Sequence, residues 1–357
     1  MNVLVTGASG FLGSALVPLL LADGHRLRVL ARRSAPALEA LGVESIRAPL
    51  QDRAAVRRAL TGIDAVYHLA GRVSFHPDDP ASLYELHVEC TRRLLEDARD
   101  AGAKRFVLAS SSGTIGISRT EKVHTEVSDY PLQVVARWPY YLSKIFQEKT
   151  ALRFHRDTGF PVVVLNPSLL LGPGDTRLSS TDVVFKFLER RIPAMPGGGL
   201  SFVDVRDAAL AFASALARGR PGDRYLLGGA NMTFAELFGR LSRISGVAPP
   251  AMRLPSALNV AGARLLERFH AWRGSDSPIS TEEVEMGEHW FYIDSGKAQR
   301  ELCFTARDPQ ETLHDTVTWL DRHIRGKQPP HAPNAFLTAD SSAPITMGGR
   351  LTVEGND

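Results

Sequence analysis

The sequence predicts an α/β chain, a doubly wound parallel sheet followed by a smaller C-terminal α/β region. Three observations carry that expectation. Through the first half of the 357 residues, short apolar runs alternate with amphipathic stretches, the texture of parallel strands joined by crossover helices. Several of the runs are unbroken in Val, Leu and Ile, as expected of strands covered on both faces. Between the first run and the first amphipathic stretch lies Thr6-Gly7-Ala8-Ser9-Gly10-Phe11-Leu12-Gly13, a glycine turn in strand-to-helix context, which makes the predicted sheet Rossmann-type.

Taken in order, the expected strands of the first half are Asn2–Thr6, Arg26–Ala31, Val43–Arg47, Ala65–Leu69, Arg105–Ser110 and Pro161–Asn166. The stretches Phe11–Asp23, Arg53–Thr61, Pro80–Ala101 and Tyr140–Asp157 repeat apolar residues at helical spacing and are expected as helices. Beyond Asn166 the texture changes. Pro167, Gly172-Pro173-Gly174, Pro193, Pro196 and Gly197-Gly198-Gly199 mark loops, and helices are expected over Val205–Arg218 and Thr233–Ser245. After the break at Ala248-Pro249-Pro250, Asn259–Trp272 is amphipathic through Val260, Ala263, Leu265, Leu266 and Phe269. It reads as a lid or packing helix in preference to a membrane attachment. The organisation that follows is a dinucleotide-binding domain over 1–167 and a mainly substrate-binding region over 168–325 with segments returning to the first domain. A disordered tail is expected over 326–357, where Pro, Ser and Gly replace aromatics.

Composition narrows the function classes. A formal net charge of +3 with scattered arginine pairs gives no arm of the kind that binds nucleic acid. Cys90 and Cys303 lie far apart and outside any Cys-x-x-Cys spacing, which argues against a disulfide scaffold or a metal site and for a reducing compartment. No signal-peptide pattern and no apolar stretch of membrane-spanning length is seen, so a cytoplasmic location is expected.

The glycine turn assigns the cofactor class. Gly7 permits the tight turn, Gly10 lets the backbone approach a pyrophosphate, and Gly13 allows close helix–strand packing. Ser9, Phe11 and Leu12 complete the candidate contacts, where a helix N-terminus offers free N–H groups and its positive dipole end to phosphate. The second strand ends at Leu30-Ala31-Arg32-Arg33-Ser34 with no acid to hold a ribose 2′-hydroxyl. Arg32 and Arg33 suit a 2′-phosphate, so NADP(H) is favoured over NAD(H).

Tyr140 and Lys144 are four residues apart in Trp138-Pro139-Tyr140-Tyr141-Leu142-Ser143-Lys144, and helical geometry stacks phenol and ammonium on one face. A cation beside a phenol favours the phenolate and lowers its pKa from the usual value of about 10. Bringing it towards neutrality takes roughly 3–4 kcal/mol of local electrostatics. The outcome would be a proton donor or acceptor beside a hydride carrier. Tyr141 does not keep the spacing and is expected to pack.

With these residues in hand the chain resembles the extended short-chain dehydrogenases/reductases, in the NAD(P)-dependent epimerase/dehydratase family and nearest its dihydroflavonol-4-reductase-like branch. The resemblance spans roughly residues 1–325. It rests on the glycine turn, His68-Leu69-Ala70-Gly71, Phe106-Val107-Leu108-Ala109-Ser110-Ser111-Ser112, Tyr140-x-x-x-Lys144, Gly172-Pro173-Gly174-Asp175 and Phe202-Val203-Asp204-Val205. It implies Tyr140 as catalytic acid/base, Lys144 on the nicotinamide ribose, and a serine after the fifth strand on the substrate oxygen. Alignment on Phe106 makes that serine Ser111, with Ser110 and Ser112 open because a one-residue bulge would exchange the hydroxyl facing the pocket. Leu69, Ala70 and Gly71 would run past the adenosine and pyrophosphate, and Pro167 and Ser168 would lie against the nicotinamide. The pocket is expected to be bordered by Arg72–Pro80, Ile117–Pro139, Gly174–Gly199 and part of the C-terminal region, which contain Phe75, His76, Trp138, Leu178, Phe185, Met195 and Phe202. Ser112, Phe75 and Met195 are the candidate substrate contacts. Relatives often dimerise through the helices matching Pro80–Ala101 and Tyr140–Asp157, so a homodimer is compatible.

Two departures stand out. Where relatives read Gly-Asp-Leu-x-Asp after the third strand, this chain reads Ala48-Pro49-Leu50-Gln51-Asp52, which leaves the Leu50 backbone as the candidate adenine contact. Where they read Asn-Val-x-Gly-Thr, it reads His87-Val88-Glu89-Cys90-Thr91, and His87 either replaces the asparagine's hydrogen bonds or is a satisfied structural histidine. After the serine strand stands Gly113-Thr114-Ile115-Gly116, without the Asp-Glu pair of sugar dehydratases. The expected function is NADP(H)-dependent reduction of a small ketone or aldehyde, hydrophobic or aromatic, with Tyr140 as proton donor. A nucleotide-sugar epimerase is the alternative, for which Arg177, Arg190 and Arg191 offer cations. A non-catalytic NADP(H)-binding regulator is the third reading.

Overall fold

The computed structural model describes residues 1–33, 36–74, 79–273, 275 and 280–326. The tail expected over 326–357 therefore lies, from 327 on, outside the described residues. The strands are β1 (Asn2–Thr6), β2 (Arg26–Ala31), β3 (Glu44–Arg47), β4 (Ala65–His68), β5 (Arg105–Ala109), β6 (Val123–His124), β7 (Val162–Pro167), β8 (Leu169–Leu171), β9 (Gly199–Asp204), β10 (Arg224–Leu227), β11 (Ala230–Thr233) and β12 (Trp290–Ile293).

Seven of them form one sheet in the order β10-β7-β5-β4-β1-β2-β3, with every neighbouring pair parallel. Alternate side chains of the inner strands enter two separate cores. Val3 and Val5 pack with Leu16, Val17 and Phe212 on one face, and Leu4 packs with Leu60, Leu95 and Phe106 on the other. Burial on both faces explains why these strands read as unbroken apolar runs. The strand order reverses direction at β1/β4, and a crevice outside the carboxyl ends of the strands opens at such a switch point.

The edge strand β10 comes from the second half of the chain and pairs with β7. The sequence reading had no strand there, because four residues between turns carry too little periodicity to be seen. The second sheet, β11-β9-β12-β6 with β8 beside β9, was also not read; its strands are two to six residues long, and β9 begins on the glycines that read as a loop. With the helices Asp182–Leu188, Phe234–Ser245 and Pro309–His323 it encloses a third core around Phe187, Phe202, Phe238 and Leu313.

Two helices matter for the site. Pro139–Thr158 starts on a proline in its first turn and stops at Gly159, whose φ of 72° is open to glycine at little cost. The expected helix over Pro80–Ala101 is interrupted. It runs as α-helix over Pro80–Tyr84, widens to a π-turn over Glu85–Glu89, and resumes over Cys90–Asp100. No apolar pattern announces that turn, which is centred on the buried His87.

Candidate active site

A cavity of about 1940 Å³ lies over the carboxyl ends of β1, β4, β5 and β7. It is lined by the turns after those strands, by the start of the helix Pro139–Thr158, and by the second sheet and C-terminal helices.

At the cofactor end, Gly7 has φ +75°, and a Cβ there would fall 2.6 Å from the Ala70 nitrogen after β4. A Cβ on Gly13 would fall 2.4 Å from the Gly7 oxygen, so both glycines are required by backbone approach. Gly10 is different. Its Cβ would meet only the Gly7 oxygen, leaving its outer side open to the cavity. Gly10 also caps the helix Phe11–Ala22 without a side chain, so the first N–H groups of that helix have no side-chain acceptor. Across the cavity Ser168 is buried, and its hydroxyl is without a hydrogen-bond partner. An open glycine, an uncapped helix start and an orphan hydroxyl suit a phosphate-bearing nicotinamide dinucleotide.

Most expected cofactor residues line this cavity: Gly7, Ser9, Gly10, Phe11, Leu12, Gly13, Arg32, Leu69, Gly71, Tyr140, Lys144, Pro167 and Ser168. Arg33, Leu50 and Ala70 do not. Arg33 is exposed beside the site, Leu50 packs under the sheet on the Leu4 side, and the Ala70 N–H turns back to the Thr6 hydroxyl. Asp52 caps the helix Arg53–Leu60 by accepting from the Ala55 N–H at 2.9 Å.

At the chemical end, Ser111, Ser112, Tyr140 and Lys144 line the same cavity. The helix Pro139–Thr158 puts Tyr140 and Lys144 on one face, and the Ser111 side chain hydrogen-bonds the phenol, favouring its ionised form. Burial opposes this and is the larger effect, so the phenol is pushed up to about 12. The lowered phenol pKa expected from the Tyr-x-x-x-Lys spacing is thus not found. The Lys144 ammonium points instead at the Ala109 carbonyl (2.7 Å) and the Gln147 side-chain oxygen (2.5 Å). Burial pushes Lys144 itself down to about 7, with Glu148 pulling the other way.

Beneath these groups runs a chain of buried polar contacts. Gln147 donates to the Thr91 hydroxyl (2.9 Å), which contacts His68 Nε2 (2.9 Å), and His68 Nδ1 contacts the Thr6 hydroxyl (2.7 Å). The last residue of β1 is thereby tied to Lys144. His87 makes a second tie. Its Nε2 accepts from the Arg72 N–H (3.1 Å), so Nδ1 carries the proton and donates to Ser143 Oγ (2.8 Å), which donates to the Tyr140 carbonyl (2.7 Å). Burial, then the Lys144 charge, holds His87 neutral by pushing it down to about 2. The reading of His87 as a satisfied structural histidine is the one these bonds fit. It is fully satisfied, and its bonds fix the start of the tyrosine helix against the turn after β4.

Sequence reasoning missed Glu148. Fully buried one turn after Lys144, its Oε2 accepts from Ser110 Oγ (2.6 Å), Thr114 Oγ1 (2.9 Å) and Asn166 Nδ2 (2.6 Å). Its Oε1 accepts from the Tyr130 hydroxyl (3.2 Å) and the Arg224 guanidinium (3.1 Å). One carboxylate thus holds the serine turn, β7 and β10 in register. The available signal was the polar series 140, 144, 148 on one face of a helix.

The substrate expectations divide. Ser112, Trp138 and Leu178 line the cavity; Met195, Phe185 and Phe202 do not. Met195 is buried in the third core while its neighbours Ala194 and Pro196 reach the cavity. Phe75 and His76 lie outside the described residues. Arg177 and Arg191 are on the lining and Arg190 is not. Tyr141 packs as expected, on Gly113, where a Cβ would fall 2.1 Å from its ring, and it also faces the cavity.

Residues 3–228 match the NAD dependent epimerase/dehydratase family. A protein named "Putative dihydroflavonol 4-reductase" from Synechocystis sp. is 31% identical over 326 residues, covering 89% of this chain and 94% of its own. "Sterol demethylase protein B" from Methylococcus capsulatus is 31% identical over 330 residues, with 90% and 98% covered. Among solved structures, gox2253 superposes with a TM-score of 0.79 at 31% identity, over 91% of this chain and 99% of that one. MoeE5, in complex with UDP-glucuronic acid and NAD, superposes with a TM-score of 0.70 at 25% identity, over 90% and 99%. The chain therefore belongs to the NAD dependent epimerase/dehydratase family, within the extended short-chain dehydrogenases/reductases, and is an NAD(P)-dependent oxidoreductase of that family.

Proposed function

We propose that the protein reduces a ketone or aldehyde on a hydrophobic or aromatic small molecule, using NADPH, with Tyr140 as proton donor. The observation that carries this reading is the convergence of the Ser111 hydroxyl and the Tyr140 phenol on one cavity that also receives the glycine turn. The bound dinucleotide supplies the hydride. Negative charge then gathers on the carbonyl oxygen, where two hydroxyl donors at that atom lower the barrier. Tyr140 completes the reduction by giving that oxygen its proton, and the buried phenol stays protonated across the neutral range, ready to donate. Lys144, one helical turn on from Tyr140 and on the same cavity, is the cation available to the phenolate left after transfer. The ribose contact and the roles of Gly7, Gly10 and Gly13 belong to the same proposal.

An aromatic wall supports the substrate class. Tyr141 lies 5.1 Å from Tyr140 and 5.9 Å from Phe291 between ring centroids, with Trp138 at 6.1 Å. Arg32 on the lining, with no acid at the end of β2, supports NADPH. Purified enzyme should consume NADPH mole for mole over a panel of aromatic ketones, aldehydes and 3-oxo lipids, and Tyr140→Phe should abolish turnover. Tight NADPH binding without turnover anywhere on the panel would favour a regulator instead. A nucleotide-sugar epimerase is the second reading, favoured by Arg177 and Arg191 on the lining, two cations suited to a diphosphate. Inversion of a sugar carbon with no net cofactor change would replace the reductase reading with it.

A further inference from the structure

We infer that the helix Ser256–Trp272 docks the protein on an anionic lipid surface. At helical spacing Leu258, Leu265, Phe269 and Trp272 fall on one side, and this is the side turned to solvent, with 60%, 71%, 45% and 82% of each residue exposed. The opposite side packs inward through Val260, Ala263 and Leu266, and through Asn259, which bonds Glu288, and Glu267, which accepts from the Thr281 N–H and hydroxyl. The helix is thus apolar on two sides. One is covered by the protein and the other faces out. Met252 and Leu254, just upstream, are exposed as well.

Charge selects the occupant. Arg253, Arg264, Arg268 and Arg273 border the apolar stripe and are exposed, while the helix's single acid, Glu267, is turned inward. Among the described residues Arg253, Arg264 and Arg268 make no ion pair, and Arg273 lies over the Phe269 ring at 5.0 Å. A second copy of the chain on this face, related by a two-fold axis, would bring the arginines against their own counterparts. A bilayer with anionic headgroups meets both features at once, apolar side chains entering the acyl boundary while the guanidiniums hold phosphate. Among the described residues no helix is long and apolar enough to cross a membrane, so the helix lies on the surface. The helix also borders the cavity, through Asn259 and Glu267 and at its rim through Arg264 and Arg268. Resting on the reductase reading for this step alone, docking would open the site towards carbonyl compounds dissolved in lipid.

Co-sedimentation of the full chain with phosphatidylcholine vesicles, with and without phosphatidylglycerol, tests the docking and needs no substrate. The wild type should bind phosphatidylglycerol vesicles, more weakly at high salt. The variant Leu258→Ser/Leu265→Ser/Trp272→Ser should bind roughly tenfold more weakly or less, with an unchanged melting temperature. Should the triple variant fail to fold, tryptophan emission replaces it: vesicles should shift the wild-type emission to the blue, and Trp272→Phe should lose the shift. Absence of wild-type binding, equal binding by the variant, or a shift that survives Trp272→Phe would overturn the proposal. So would a concentration-dependent dimer broken by the same substitutions.

Discussion

The floor and the roof of the cavity are built by opposite rules. On the floor, polar groups are buried and partnered: Glu148 accepts five hydrogen bonds, and Thr6, His68, Thr91, Gln147 and Lys144 form one chain. On the roof, the helix Ser256–Trp272 packs on the short helix Thr281–Gly287 with Glu267 accepting from Thr281, and large apolar side chains face outward. A buried network leaves each group one arrangement, because an unpaired member costs the full desolvation of that group. The exposed residues of the roof can be exchanged at little cost. A tightly partnered wall and a more exposed one therefore face each other across one cavity.

The largest expected effect on the floor is chemical. Tyr140→Phe should lower kcat about 10²- to 10⁴-fold while leaving the melting temperature close to wild type, since ring packing is retained; comparable kcat would remove the floor from the chemistry. Glu148→Ala should destabilise the fold by about 3–5 kcal/mol, because Arg224 and four neutral donors lose a buried carboxylate. Denaturant titration reads that loss, and a change below 1 kcal/mol would show that the network is not strongly coupled. Arg32→Ala should raise the KM for NADPH by roughly ten- to a hundredfold, the loss of a charged hydrogen bond, with little change for NADH. Equal effects on both cofactors would break the assignment of that arginine. His87→Ala should cost about 1–3 kcal/mol through the stranded Arg72 N–H and Ser143 hydroxyl. His87→Asn should recover part of it, and kcat should fall more than KM rises because His87 positions the tyrosine helix. The smallest effect belongs to the roof, where Leu265→Ser should change stability by no more than about 0.5 kcal/mol.

The floor's ionisable groups also set a dependence on pH. Lys144 is depressed in the folded protein to about 7 from an unfolded value of 10.5, so between these pH values the unfolded chain binds the extra proton. Stability on this group's account rises as pH climbs through that window. Tyr140 has the opposite sign: with its folded pKa raised from 10.0 to about 12, its contribution is present below 10.0 and is lost as pH rises towards 12. Melting temperatures of wild type and Tyr140→Phe, close near neutral pH, should therefore diverge above pH 10.0, the wild type falling below the variant.

The first half of the chain was legible because its code is local. Strands such as Val162–Pro167 are apolar throughout, and glycines such as Gly7 mark a turn whose geometry excludes a Cβ. Tyr140, Lys144 and Ser111 were found by spacing and motif, and the cavity brings them together. What stayed hidden was non-local. Glu148 gains its partners from Ser110, Asn166 and Arg224, none of which is near it in sequence, and Met195 turned away from the cavity because the third core needed its volume. The phenol's pKa went astray for a related reason: spacing shows neither how deeply the phenol is buried nor where the ammonium turns, and here burial outweighs the Ser111 hydrogen bond while Lys144 faces Ala109 and Gln147.

The π-turn at Glu85–Glu89 absorbs one residue of chain length. A wide turn accommodates one residue more than an α-helix would over the same rise. Deleting Glu89 would rewind the turn to α-helix and leave the flanking turns close to their present rotation. His87 and Thr91, which face Ser143 and His68, would then stand three residues apart and still share one face. The segment should thus tolerate the loss of that residue more readily than the continuous helix after it, where the same deletion rotates the chain beyond by about 100°.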